Sequence, residues 1–168
     1  YCGGINMSLN QPAVTAGTMT SEHLDAYEEG TFTPTLVDNA DELTQNYSAD
    51  RAGFYTKIGR YVFCNGRIKM ASSGITAGGS GSIVRIEALP FASADVTNNL
   101  GTVTIGYAAG WGAATGAPTH GYVSPNSQTA DLHVQDNDAG NVGTLANSNG
   151  ADVEENTQIF FSVSYYTA

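Results

Sequence analysis

The stretch from Tyr61 to Met70 does most to limit what this chain can fold into. Its even positions, apart from Gly66, hold apolar side chains, and its odd positions hold Tyr61, Phe63, Asn65, Arg67 and Lys69. A period of two is that of a β-strand with one face on a core and the other facing outward. Cys64 lies at one of the core positions, so we expect a buried free thiol there.

Strand-like stretches recur along the rest of the chain, separated by loops rich in Gly, Asn, Ser and Asp. They cover residues 31–37, 82–89, 101–108, 121–124, 131–135 and 158–166. Pro34 cannot donate to a β-ladder, which places the first of them at a sheet edge or a bulge. The residues of the segment His23–Gly30 favour one helical turn, which Gly30 would close. Strands at this spacing, without helices between them, favour an all-β fold, either a β-sandwich or a jelly roll.

Length and charge exclude several classes of function. The 168 residues suit one domain with a substantial core, and the formal net charge is −10. All six basic residues lie between Arg51 and Arg85, too few to neutralise a nucleic acid or an anionic membrane surface. No apolar run is long enough to span a bilayer, so we expect no membrane insertion.

Residues 1–23, rich in Gly, Pro, Ser and Thr without a period, are typical of an extended lead-in or stalk junction. Residues 24–168 are expected to form the folded domain.

The sequence offers little to catalysis. Its three histidines lie in unrelated surroundings, and it has no nucleophile elbow, no metalloprotease motif and no phosphate-binding loop. The adjacent carboxylates Glu28–Glu29 and Glu154–Glu155 point opposite ways in extended chain, unlike the facing pair of a glycosidase. We therefore expect no enzyme and no cofactor, although a site assembled between subunits stays open. The loop 136–138 (Asp-Asn-Asp) has ligands suited to Ca²⁺, but a plain turn explains it better, and we predict no metal.

Aromatic residues are the stronger functional signal. Three of them lie in or beside loops of Gly, Ala and Ser, where sugar rings can stack on exposed rings while Asn and Asp bond the hydroxyls. The predicted glycan-binding residues are Tyr107, Trp111, Tyr122, Asn126, Asp136 and Asp138. The alternative for Trp111 is that it fills a core or a subunit interface.

Three blocks, in this order, resemble one family. Leu24–Leu36 (LDAYEEGTFTPTL) resembles the LDxYEEGTWTPTL opening of C-terminal modules of bacteriophage tail fibres and tailspikes. Gly53–Val62 is similar to a GxYTKIGRxV block, and Ile86–Phe91 to IxGLPF. Phe32 stands where Trp is usual and Ala88 where Gly is usual; we expect both changes to preserve the strands.

The resemblance implies a jelly-roll-like β-sandwich head that forms a homotrimer at the tail-fibre tip of the virion. Its partners would be an upstream fibre or tail segment and a bacterial surface polysaccharide or lipopolysaccharide, bound during adsorption. The alternatives are a purely structural trimerisation or folding module and the end of a depolymerase tailspike. In the matched blocks, Lys57 or Arg60 is expected to pair with Glu28 or Glu29. Core or interface positions would be Tyr27, Phe32, Tyr55, Ile58, Val62, Leu89 and Phe91.

Overall fold

A computed structural model of the chain describes residues 26–96, 101–113, 115–136, 144–147 and 149–168. The described residues form ten β-strands and one short 3₁₀-helix, which confirms the all-β prediction. The strands are β1 (Tyr27–Phe32), β2 (Thr35–Asp38), β3 (Ala52–Ile58), β4 (Tyr61–Lys69), β5 (Val84–Glu87), β6 (Gly101–Trp111), β7 (His120–Val123), β8 (Ala130–Asp136), β9 (Thr144–Asn147) and β10 (Val153–Tyr166). The 3₁₀-helix, Gly150–Asp152, lies directly before β10.

The strands form one antiparallel sheet in the order β1-β3-β4-β10-β6-β7-β8-β5-β2, with β9 paired to β8. β1 and β2 lie at opposite ends of this order, yet only Thr33 and Pro34 separate them in the chain. The sheet must therefore curl until its two ends meet. The two layers expected of a sandwich are opposite parts of this one curled sheet. Pro34 lies between the two edge strands, as its missing N–H predicts.

The concave face of the sheet holds the core. In β4 the predicted alternation is confirmed, because Val62, Cys64 and Ile68 are fully buried. Burial raises the pKa of the Cys64 thiol to about 12. The long central strand β10 contributes Ile159, Phe161, Val163 and Tyr165 to the same cluster, which also includes Leu36, Ile86 and Leu132 from the opposite part of the sheet. Each such side chain contributes about 1.5–3 kcal/mol when buried.

A buried carboxylate holds the loops that follow β2 and precede β5. Asp38 is 1% exposed; its Oδ1 accepts from the amides of Glu42 (2.9 Å) and Leu43 (3.0 Å). Its Oδ2 accepts from the amide of Gly79 (3.2 Å) and the hydroxyl of Ser82 (2.9 Å). Burial alone raises the pKa of Asp38, but these four hydrogen bonds outweigh it and hold the pKa below its ordinary value.

Most of the predicted core or interface positions in the three matched sequence blocks are buried or pack against the core. Val62 and Leu89 are buried, and Phe32, Tyr55 and Phe91 pack against the core cluster. Tyr27 and Ile58 are exposed, which leaves interface as the remaining possibility for them. Ala88 does not continue its strand: β5 ends at Glu87, and Ala88 has a φ of 60°.

The predicted helical turn at 23–30 is wrong in its described part, because β1 begins at Tyr27 and pairs with β3. Residues 23–25, like the predicted lead-in 1–23, lie outside the described residues. The predicted pairing of Lys57 or Arg60 with Glu28 or Glu29 is also wrong.

Tyrosine hydroxyls, and not Lys57 or Arg60, bond the carboxylates of Glu28 and Glu29. Glu28 accepts from the Tyr55 hydroxyl and Glu29 from the Tyr27 hydroxyl, each at 2.6 Å. Arg60 instead donates to the carbonyl of Thr167.

Candidate functional site

The structure places two of the predicted glycan-binding residues at different depths on β6. Tyr107 is 49% exposed on the convex face of the sheet, with its ring 5.6 Å from that of Phe160. Trp111, at the end of β6, is half-buried against the core, and its Nε1 donates to the carbonyl of Gln158 at 3.3 Å. Trp111 therefore contacts the core as its alternative describes, and its role in glycan binding stays a prediction.

The other predicted residues lie elsewhere. Tyr122, on the convex face of β7, is half-buried and stacks on His133 with 5.2 Å between ring centroids. Asn126 is exposed in the turn between β7 and β8 with a φ of 52°. Asp136 ends β8, but its side chain is outside the described residues, as is Asp138. Tyr122 pairs with Thr102, five residues before Tyr107 on β6, or about 17 Å along the strand. Among the described side chains, Tyr107 and Trp111 therefore lie on β6, Tyr122 on β7 and Asn126 in the turn after it, and glycan binding by the six residues stays a prediction.

A different surface concentrates the exposed apolar side chains. Partners in an antiparallel ladder share a face, so the register of β1, β3, β4, β10 and β6 shows which side chains are convex neighbours. We call this convex surface the aromatic face. Every exposed large apolar side chain in the described residues, apart from Val96, lies on it. Its members are Tyr27, Phe54, Ile58, Tyr61, Phe63, Tyr107, Phe160 and Tyr166.

A groove lies within the aromatic face. Here Phe54, Asn65, Arg67, Phe160 and Ser162 line a groove of about 380 Å³, which we call the Phe160 groove. The register shifts between Phe160 and Phe161, so Gly106, which also lines the groove, has no partner on β10.

Electrostatic contacts hold the cation of the Phe160 groove in place. The guanidinium of Arg67 lies 5.1 Å from the Phe160 ring centroid, within cation–π range. It pairs with Asp50 at 3.2 Å and donates to Gln158 Oε1 at 3.3 Å. An arginine fixed in this way presents its remaining donors in a set geometry.

This arrangement suits recognition of a polar ligand with apolar faces. Phe160 and Phe54, with the neighbouring Tyr107, offer ring faces, while Asn65 and Ser162 can both donate and accept hydrogen bonds. Sequence reasoning missed this groove because β10, which supplies Phe160 and Ser162, is far along the chain from the adjoining strands β3 and β4. A usable signal was present, however: aromatic side chains occupy odd positions of β4, opposite the core.

Within the described residues, no group of three or more His, Cys, Asp or Glu side chains lies close enough to hold a metal ion. In the same part of the chain, no helix has the length and apolar character needed to cross a membrane.

Comparison with known proteins bears on the fold. No protein-family model matches the sequence, and no curated protein matches it. The crystal structure of the Dettilon tailspike protein (gp208) is similar over 83% of this chain, with a TM-score of 0.63 and 18% sequence identity. The chain has a tailspike-related fold. The matched part is 23% of that tailspike's chain, so the tailspike-related fold corresponds to about a quarter of its length.

Proposed function

We propose that this chain is a non-catalytic module of a bacteriophage tail fibre or tailspike that forms a trimer at the fibre tip and binds a host surface glycan. The ligand would be a bacterial polysaccharide or lipopolysaccharide, held in the Phe160 groove during adsorption. The observation that carries the proposal is the groove itself, in which aromatic rings and fixed polar groups converge on a tailspike-related fold.

The geometry of the groove matches the chemistry of a sugar. A pyranose ring has apolar C–H faces and a rim of hydroxyls, so it binds where ring faces adjoin hydrogen-bonding groups. The ring centroids of Phe160 and Tyr107 lie 5.6 Å apart, and the two rings are inclined at 49°. Asn65 and Ser162 are partners in the β4–β10 ladder, which places an amide and a hydroxyl side by side next to the rings.

A matched pair of substitutions tests the ligand. Phe160→Thr removes the ring and retains a residue that favours strands. It should weaken binding to the best ligand in a panel of purified bacterial capsular and O-antigen polysaccharides about tenfold, as expected for one lost ring contact of about 1–1.5 kcal/mol. Val96→Thr alters an exposed apolar residue off the aromatic face and should not change the affinity. Titration calorimetry measures both variants, and equal affinities for all three proteins would contradict the proposal.

A second candidate function is a purely structural trimerisation or folding module. The extent of the aromatic face favours it, since soluble monomers seldom expose this much contiguous apolar surface. Under this alternative, no polysaccharide in the panel would bind, while the chain would still assemble. Release of reducing ends from the same polysaccharides would instead support the depolymerase alternative.

A further inference from the structure

We infer that copies of this chain contact one another through the end of the aromatic face opposite the Phe160 groove. This inference rests on the proposed function, because it assigns the trimer contact to a specific surface. The surface, which we call the self-contact patch, consists of Tyr27, Ile58, Tyr61, Phe63 and Tyr166.

Strand register builds the self-contact patch. Tyr27 pairs with Ile58, Ile58 with Tyr61, and Tyr61 with Tyr166, so one apolar row crosses β1, β3, β4 and β10. Phe63 lies two residues further along β4, on the same face. The rings of Tyr61 and Tyr166 meet edge to face at 5.5 Å, which restricts their rotamers before any partner arrives.

The area of the patch matches one protein interface. Its five side chains are between 37% and 59% exposed. At about 200 Å² for a large side chain, they leave roughly 450 Å² of apolar surface in water. A standard interface covers about 800 Å² on each partner, of which about 56–58% is apolar, again about 450 Å². The patch therefore equals the apolar share of one standard interface; because each chain of a closed trimer takes part in two interfaces, this is about half of what a chain would bury in a trimer.

Charge favours a second copy of the chain as the occupant. Two chains of net charge −10 repel each other through most of their surface. The convex ladder positions in the patch and the row through Phe63 carry one charge, that of Glu29, whose carboxylate accepts a hydrogen bond from Tyr27. Copies can meet here with little repulsion.

Light scattering over a dilution series tests the inference. The 168-residue chain should have the mass of three chains, and the triple variant Tyr61→Thr/Phe63→Thr/Tyr166→Thr should require at least tenfold more protein for half-assembly. Val96→Thr is the control and should assemble like the original chain. Circular dichroism establishes that each variant is folded. Should the triple variant fail to fold, Phe63→Thr alone replaces it, with a threefold or larger change expected.

The outcomes separate this inference from the proposed function. A one-chain mass for the original sequence at every dilution would overturn the inference, as would a folded triple variant that assembles normally. A two-chain mass that the triple variant abolishes would support the patch and overturn the threefold part of the proposed function. The triple variant should retain the single-site polysaccharide affinity, because the Phe160 groove is untouched. Glycan binding can therefore be absent while the chains still assemble, and assembly can be absent while a single chain still binds glycan.

Discussion

The phenyl ring of Phe32 lies directly over Gly53, its partner on the neighbouring strand β3. A Cβ atom built at Gly53 would fall inside contact distance of three ring carbons of Phe32. Two residues away the roles of the strands are exchanged, with the glycine on β1 and the ring on β3. A Cβ at Gly30 would lie 2.7 Å from the hydroxyl oxygen of Tyr55. Each aromatic ring covers the glycine opposite and fills the space that a side chain would take there. This explains why both matched sequence blocks need a glycine at these positions.

Gly53→Ala should destabilise the protein by about 1–3 kcal/mol, because Phe32 packs against the core and cannot yield freely to an added methyl group. Gly106→Ala is the control, since a Cβ there would meet its nearest atom at 3.9 Å. The control should change the free energy of unfolding by less than about 0.5 kcal/mol. Urea denaturation measures both, and a Gly53→Ala midpoint equal to that of the original chain would show that the ring can move away.

Ala88→Gly should stabilise the protein by about 0.5–1 kcal/mol. Ala88 has a φ of 60°, a left-handed conformation that costs an L-residue with a Cβ about 1–2 kcal/mol, and the greater entropy of glycine in the unfolded chain offsets part of the gain. Ala52→Gly, in the regular strand β3, should have the opposite sign. Thermal unfolding of both variants checks the prediction; a lower midpoint for Ala88→Gly would refute it.

Tyr165→Phe should cost about 1–3 kcal/mol. The buried hydroxyl of Tyr165 accepts from the amide of Phe91 at 3.2 Å and donates to its carbonyl at 2.9 Å, so its removal leaves two backbone groups unsatisfied. Tyr166→Phe is the matched control, because Tyr166 is 46% exposed and should tolerate the change. Chemical denaturation of the two variants gives the comparison, and equal losses at both positions would contradict this account.

Asp38→Asn should destabilise the protein by about 1–3 kcal/mol at pH 7. The Asp38 carboxylate accepts a hydrogen bond from the backbone N–H of Gly79, and the side-chain amide of Asn would set its own N–H donor against that N–H. The folded state lowers the pKa of Asp38 below its ordinary 3.8. Its contribution is therefore fully present above pH 3.8 and is lost as the pH falls through the lowered pKa. The difference between the two proteins should shrink on acidification.

Urea denaturation at pH 7 and at several values below pH 4 measures this difference. Asp95→Asn, at an exposed position, is the control and should be nearly neutral throughout. A difference for Asp38→Asn that stays constant down to the lowest pH would contradict the pKa argument.

Local pattern alone determined a good part of this molecule. The alternation in β4 correctly assigned Val62 and Ile68 to the core, and the missing N–H of Pro34 correctly placed it beside a sheet edge. These predictions succeeded because side-chain direction in a strand has a period of two, and because proline cannot pair on both sides, whatever the rest of the chain does.

Tertiary structure decided the rest. Local propensity predicted a helical turn at Tyr27, but pairing with β3 made it a strand. The sequence left two places open for Trp111, a sugar platform or a core position, and the tertiary structure packs it, partly buried, against the core cluster. Phe54, Asn65 and Phe160 become neighbours only through strand order and register. Periodicity determines which side chains share a face of one strand; only the pairing of distant strands determines which faces meet and which stay uncovered.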